Sequence, residues 1–384
     1  MSDPRQSLFE CLEGAASEGV FPGAVALVWR DGAMLYHEGH GVLARHEASG
    51  VCVGAPVERD TIYDLASLTK VLSTTTLVAL AVAEGRLELD AAVPEDLSAP
   101  CPGARLVDVL EHRSGLPAHR KFYLGRGASQ PDALFEALAQ VEPASGDSHD
   151  CVYSDLGFML LGRWLERIYD LPLDMLFDTK IARRLDLDRG RPPRLAYRRV
   201  SREAWLGREY ETRVAPTEVY VDRPAAGEDP VDCDYVACRG DELLAHGRVH
   251  DDNALILDGV AGHAGLFGDA EAVYELARAW LEARLPGLDV NTRDLFWAPR
   301  SGPEGARVRR LGWDGPSPDG SGSTAKALSS GAVGHLGFTG TSLWIDPRMQ
   351  SIYVLLSNRV HPDRGRGDEM RRLRREFHTL AAQL

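Results

Sequence analysis

Ser67-Leu68-Thr69-Lys70 sets a hydroxyl and an amine three residues apart, immediately before the apolar run Val71 to Ala83. Residues at that spacing share one face of a helix. A serine in the first helical turn also feels the positive end of the helix, and backbone N–H groups there can hold a developing oxyanion. This is a way to build a serine nucleophile without a histidine. A structural alternative stands beside it, in which Ser67 or Asp64 simply caps the helix. A serine and lysine pair needs a second proton carrier, and Tyr153-Ser154-Asp155 offers one, since the tyrosine precedes the helical pattern Leu156 to Glu166 and can project into a cleft. It needs a second oxyanion donor too. Gly334-His335-Leu336-Gly337-Phe338-Thr339-Gly340-Thr341 leads into an apolar run, and its glycines would let a substrate approach the backbone and the N–H of Phe338.

The elements that would hold these residues come from both ends of the chain. Ala24 to Arg30 and Ala33 to Gly39 flank Asp31-Gly32, the strongest short hairpin signal, and Thr341 to Ile345 and Ser351 to Ser357 are separated by Asp346-Pro347. A helix is expected over Met1 to Glu18 and another over Glu369 to Leu384. Between the two ends, Leu106 to Glu111, Pro131 to Gln140 and Leu156 to Tyr169 carry helical periodicity. Strands, then helices, then strands imply an α+β fold: one antiparallel sheet built from both termini, flanked by helices, with an all-helical domain inserted. Arg183 to Arg213 holds ten arginines with little apolar periodicity and reads as a solvated, irregular surface. Asp314 to Gly331, rich in Gly, Ser and Pro, reads as a long loop of the kind that rims active sites.

Composition narrows the partners. With 43 Lys plus Arg against 57 Asp plus Glu, the net charge of -14 argues against nucleic acid or an anionic membrane, leaving small-molecule or peptide-like substrates. No apolar run is long enough to span a bilayer, and Met1 to Glu18 lacks the character of a signal peptide, so a cytoplasmic location is expected unless a leader was removed. The six cysteines are scattered and are expected to be reduced, Cys233 and Cys238 included. No cofactor is called for. His250, Asp251, Asp252, Asn253 and His263 invite a metal, but a glycine-rich loop held by side-chain to backbone bonds explains them better, so no metal is expected. Oligomeric state is left open.

Three ordered motifs, Ser67 to Lys70, Tyr153 to Asp155 and His335 to Gly337, together with the phrases Leu110 to Pro117, Val249 to Ala254 and Val260 to Phe267, make the chain resemble the serine hydrolases related to class C β-lactamases, D,D-peptidases and their esterase relatives. The resemblance implies a sheet domain of residues 1–85 and 250–384, a mainly helical domain of residues 86–249, and a site at their junction. It implies that Ser67 attacks an acyl carbon, that Lys70 and Tyr153 move its proton, and that the N–H groups of Ser67 and Phe338 hold the oxyanion. Asp155, His335 and Gly337 would line the substrate. Three positions bear on how far the family pattern carries over. Asp155 stands where Asn is usual, which would favour a charged Lys70 and shift the base role to Tyr153, unless Asp155 only caps its helix. Leu336 removes a hydroxyl that could bind a substrate carboxylate, and His335 in place of Lys makes the charge there depend on pH near neutrality. The expected activity is cleavage of an amide or ester, with peptidoglycan fragments as the preferred substrate; a promiscuous carboxylesterase or β-lactamase, or a weak binding protein, are the alternatives.

Overall fold

Asp31 and Gly32 take φ values of 47° and 87°, the positive pair that a two-residue hairpin requires, so the first strands form where the sequence places them. The computed structural model describes residues 3–98, 100–124, 131–143, 151–190, 193–201, 212–220, 244–300 and 309–384. Strands β1 (Gly23–Arg30) and β2 (Ala33–Gly41) pair antiparallel with Arg30 opposite Ala33. The other edge of β1 is taken by a late strand, Ser351–Ser357, in antiparallel register with Val25 opposite Leu356.

Alternation then sorts the side chains of this central pair to two faces. Ala24, Ala26 and Val28, with Tyr353 and Leu355, meet the terminal helices α1 (Pro4–Ser17) and Gly367–Ala381 through Leu8, Leu12, Met370, Leu373 and Phe377. Val25, Leu27 and Trp29 face the other way, into the main core, where Trp29 packs on Tyr274 of Ala270–Leu281 with ring centroids 6.0 Å apart. Both faces of the sheet are covered, so β1 is buried along nearly its whole length.

Beyond β2 the chain makes β3 (Tyr63–Asp64), the helix that carries Lys70, and the helices α2 (Thr76–Ala83), α3 (Glu95–Ser98), α4 (Leu106–Leu110), α5 (Pro131–Ala139), α6 (Asp155–Tyr169) and α7 (Leu173–Phe177). After β4 (Leu195–Tyr197) come α8 (Asp252–Ile256), β5 (Leu266–Gly268), α9 (Ala270–Leu281), α10 (Val290–Trp297), β6 (Val333–Leu336), β7 (Ser342–Asp346), β8 (Ser351–Ser357) and α11 (Gly367–Ala381). The five-stranded sheet runs β2-β1-β8-β7-β6, and a small second sheet runs β3-β5-β4.

Three local expectations change. The arginine-rich stretch is not wholly irregular: Leu195 and Tyr197 are buried in β4, while Arg194 pairs with Asp269 and Arg199 with Asp174, so those charges anchor the segment. His335 lies inside a strand, because β6 begins at Val333 and only Gly337 to Thr341 forms the turn into β7. The Asp314–Gly331 loop packs against α11 through Arg375 and His378, which meet the carbonyls of Gly320, Ser321 and Ser323, and only Asp314 of the loop reaches the cleft described below. Cys11, Cys52, Cys101 and Cys151 form no disulfide among the described residues, and Cys233 and Cys238 lie outside those residues. Among the described residues no helix is long and apolar enough to cross a membrane.

Candidate active site

Ser67 occupies the turn that opens its helix, just after Ala66, whose φ of 47° is left-handed for a residue with a side chain. The helix then runs as a π-turn over Lys70–Thr75 before α2. Its hydroxyls explain how the wide turn is held: Thr76 Oγ1 donates to the Val71 carbonyl at 2.8 Å, Thr74 Oγ1 to the Gly262 carbonyl at 2.6 Å, and Tyr197 donates to Ser73 Oγ at 2.9 Å. Lys70 is thereby fixed beneath Ser67 and out of solvent. Its Nζ donates to Ser67 Oγ at 2.9 Å, to Asp155 Oδ1 at 2.7 Å and to the His263 carbonyl at 3.4 Å.

Tyr153 and Asp155 enter from the start of α6. Ser154, not Asp155, caps that helix by accepting the Gly157 N–H at 3.3 Å, which leaves the Asp155 carboxylate for Lys70. The tyrosine is clasped by His112, a residue with φ of 58°. The His112 carbonyl accepts from Val152 N at 3.0 Å, its Nδ1 accepts from Ser154 N at 3.0 Å, and its ring lies 4.7 Å from that of Tyr153. Lys70 and Arg309 both stand over the Tyr153 ring, 4.9 and 5.7 Å from its centroid. Against its burial, Lys70 and Ser67 both favour the ionised form of the phenol.

Burial alone would strip the proton from Lys70, but Asp155 and Tyr153 outweigh it and hold the ammonium above its ordinary range. Burial likewise opposes the charge on Asp155, yet Lys70, His119 and His263 keep that carboxyl well below the usual range; His119 Nδ1 sits 3.5 Å from its second oxygen. Burial raises Tyr153, with Lys70 pulling the other way, so at neutral pH it is a phenol. The resting site thus holds an ammonium, a carboxylate, a phenol and a hydroxyl.

His335 corrects an expectation. Burial, helped by Lys70 and opposed by Asp314, pushes it down to about 4, so it is uncharged near neutrality, with Nδ1 2.8 Å from the Leu336 carbonyl. Two other buried histidines, His361 and His378, are also pushed down to about 4, first of all by burial. Unfolded, each would bind a proton near its ordinary value of 6.5. The unfolded chain therefore holds more protons between those values, so stability is full above about pH 6.5 and is lost as pH falls toward 4. Melting temperatures recorded from pH 8 to 4 are expected to drop steeply below pH 6.5; a flat profile would contradict these burials.

The turn between β6 and β7 forms the facing wall. A side chain at Gly337 would place its Cβ 1.9 Å from Thr341 Oγ1 and 2.7 Å from the Leu65 carbonyl, so only glycine lets the turn dock beside Ser67. Thr339 Oγ1 donates to the Asp64 carbonyl and Thr341 Oγ1 to that of Leu65, at 2.7 and 3.1 Å, which joins the two segments. Among the described residues, no acceptor takes the backbone N–H of either Ser67 or Phe338.

A cleft of about 500 Å³ results. Ser67, Tyr153, Asp155, His335, Gly337 and Phe338 all line it, with Lys70 directly below. Asp251, Asp252, His119, His250, His263, Arg359, Arg364 and Arg371 also line it, with His250 stacked on the Phe338 ring and sharing Glu218 with Arg364. In the segment weighed for metal, Asp251 caps α8 and accepts from His263 Nε2 at 2.9 Å, and Asn253 ties down residues 120–122. His119, His112, Arg309 and the arginines near the C-terminus did not stand out in the sequence. His112 falls within a family-like phrase, which was its only signal; nothing local marks the others.

A fold of this topology with Ser67 lining its cleft and Lys70 beneath defines a class: the chain belongs to the Beta-lactamase family, whose model matches residues 8–376. Within that family it is a hydrolase. It is 32% identical over 373 residues to the N-acetylmuramyl-L-alanine amidase of Bacillus subtilis (strain 168), with 89% of this chain and 78% of that protein covered. It is 28% identical over 366 residues to a putative D-alanyl-D-alanine carboxypeptidase of Salmonella enteritidis, covering 89% and 79%. Among solved structures, the simvastatin synthase of Aspergillus terreus superposes with a TM-score of 0.70 at 17% identity over 100% and 99% of the two chains, a likeness of fold.

Proposed function

We propose that this chain is an amidase acting on peptidoglycan fragments, cleaving the amide that joins a muramyl carboxyl to a peptide through a covalent acyl-enzyme on Ser67. The observation that carries it is the contact set around Lys70, 2.9 Å from Ser67 Oγ, 2.7 Å from Asp155 and 4.9 Å from the centre of the Tyr153 ring, with Tyr153 and Ser67 lining one cleft. Ser67 Oγ attacks the acyl carbon while its proton passes to the Tyr153 oxygen, and Tyr153 hands its own proton to the departing amine. The C–N bond breaks, the Ser67 ester forms, and the phenol never has to ionise fully. The Lys70 ammonium stabilises negative charge building on both oxygens, and the N–H groups of Ser67 and Phe338 receive the acyl oxygen. Water retraces the path to release the acid.

The substrate class rests on the amidase relative and on the mixed charge of the cleft lining. Arg359 suits a carboxylate of a peptide, and the Asp and His side chains of the lining suit sugar hydroxyls. Incubation with a muramyl-L-alanyl peptide, a D-Ala-D-Ala peptide and a simple ester is expected to release amine from the first. Release of D-alanine alone would make the enzyme a carboxypeptidase instead, and turnover of the ester alone an esterase.

Asp155→Asn tests the charge assignment. Without the carboxylate, burial dominates Lys70, so its ammonium is lost at lower pH, and the alkaline limb of the kcat/KM profile is expected to move down by roughly 1–3 units. An unmoved alkaline limb would separate Asp155 from the protonation of Lys70.

A further inference from the structure

Arg374 lies on the inward face of α11 and is only 7% exposed, yet none of its ion pairs or hydrogen bonds among the described residues goes to a carboxylate. Its Nη2 donates to the Gly337 carbonyl and to the Thr341 carbonyl, both at 2.8 Å, and its Nε is buried with no partner. Arg359, 8% exposed, stands next to it and donates from Nε to the Phe338 carbonyl at 3.0 Å. Burial and Arg359 push Arg374 down to about 9. Burying two guanidiniums with carbonyls as their only hydrogen-bond acceptors among the described residues is expensive, and apolar residues would pack α11 against the sheet at less cost.

What the carbonyls have in common is the turn they belong to. Gly337 and Thr341 bracket Phe338, Thr339 and Gly340, and the Gly337 N–H closes the turn on the Thr341 carbonyl at 2.8 Å. The Gly337 C=O and the Phe338 N–H are the two ends of one peptide unit, and in a trans peptide they point in opposite directions. Holding that C=O against α11 therefore turns the N–H away from α11, and among the described residues that N–H is left without an acceptor.

We propose that Arg374 is a positioning residue for the oxyanion site: by gripping the Gly337 and Thr341 carbonyls, its guanidinium aims the Phe338 N–H at the acyl oxygen of the transition state. Arg359 steadies the next carbonyl. The assignment rests on the acyl-enzyme proposed above, in which Phe338 supplies the second oxyanion donor.

The test compares wild type, Arg374→Met and Arg374→Gln on an activated ester, together with the inhibition constant for a boronic acid, whose Ser67 adduct is a tetrahedral anion. A misaimed donor is felt by the transition state and its mimic, not by the bound substrate. The expected result is a fall in kcat of about 10²-fold with KM little changed, and a parallel rise in the boronate inhibition constant, in variants whose thermal melts stay cooperative. Wild-type kcat and boronate affinity in folded variants would overturn the role of Arg374, as would equal weakening of KM and boronate affinity. Should neither variant melt cooperatively, Arg374→Lys, with one nitrogen to span two carbonyls, takes their place with the same expected direction. If wild type itself forms no adduct on Ser67, the acyl-enzyme assignment falls first; if it does and the variants match it, only the role of Arg374 falls.

Discussion

Ser67→Ala is expected to lower kcat/KM by about 10⁴ to 10⁶-fold while leaving the melting temperature close to that of wild type. The hydroxyl is small and sits at the cleft surface, so its loss opens no large cavity in the core. What disappears is the atom that forms the acyl-enzyme. The residual rate would come from the oxyanion donors and from substrate binding, which survive the substitution. Intact-mass spectrometry after treatment with a fluorophosphonate gives an independent readout: a single adduct on wild type and none on Ser67→Ala. An adduct of equal yield on the variant would move the nucleophile elsewhere.

Tyr153→Phe comes next, with an expected fall of about 10² to 10⁴-fold on an amide substrate. Phenylalanine keeps the ring that His112 clasps and that Lys70 and Arg309 stand over, so the loop keeps its shape. Only the oxygen between Ser67 and the leaving group is lost. An amine must be protonated as it leaves, whereas p-nitrophenolate leaves unaided, so the amide rate should fall further than the rate on a p-nitrophenyl ester. Equal losses on both would confine Tyr153 to activating Ser67. No loss on either would remove it from the proton path.

Much of this arrangement was legible because its parts are local. A serine and a lysine three apart, a tyrosine just before a helical pattern and a glycine-rich turn between strands announce themselves by spacing, and Asp31-Gly32 fixed the first hairpin. Asp155 was readable as a partner of Lys70 because a carboxylate next to an ammonium favours its charge, though the competing cap was settled only by Ser154 taking that role. The hidden parts act at a distance. Arg374 looks like one more charge on a basic helix, and only tertiary packing turns it under the Gly337 carbonyl. The charge of His335 was misjudged for the same reason, because burial outweighs the imidazole's intrinsic preference and burial is set by strands that the spacing does not display. The π-turn at Lys70–Thr75 was equally invisible, since it depends on where Thr74 and Ser73 find partners across the core.

The sheet that joins β1 to β8 also sets the timetable of biosynthesis. Val25 emerges from the ribosome early and must wait for Leu356, its partner across the ladder, until nearly the whole chain has been made. During that interval the β1–β2 hairpin exposes a largely apolar edge with unsatisfied backbone groups, the kind of surface that invites pairing with a neighbouring chain. A message truncated before residue 351 would therefore yield an aggregation-prone fragment in place of a slower enzyme.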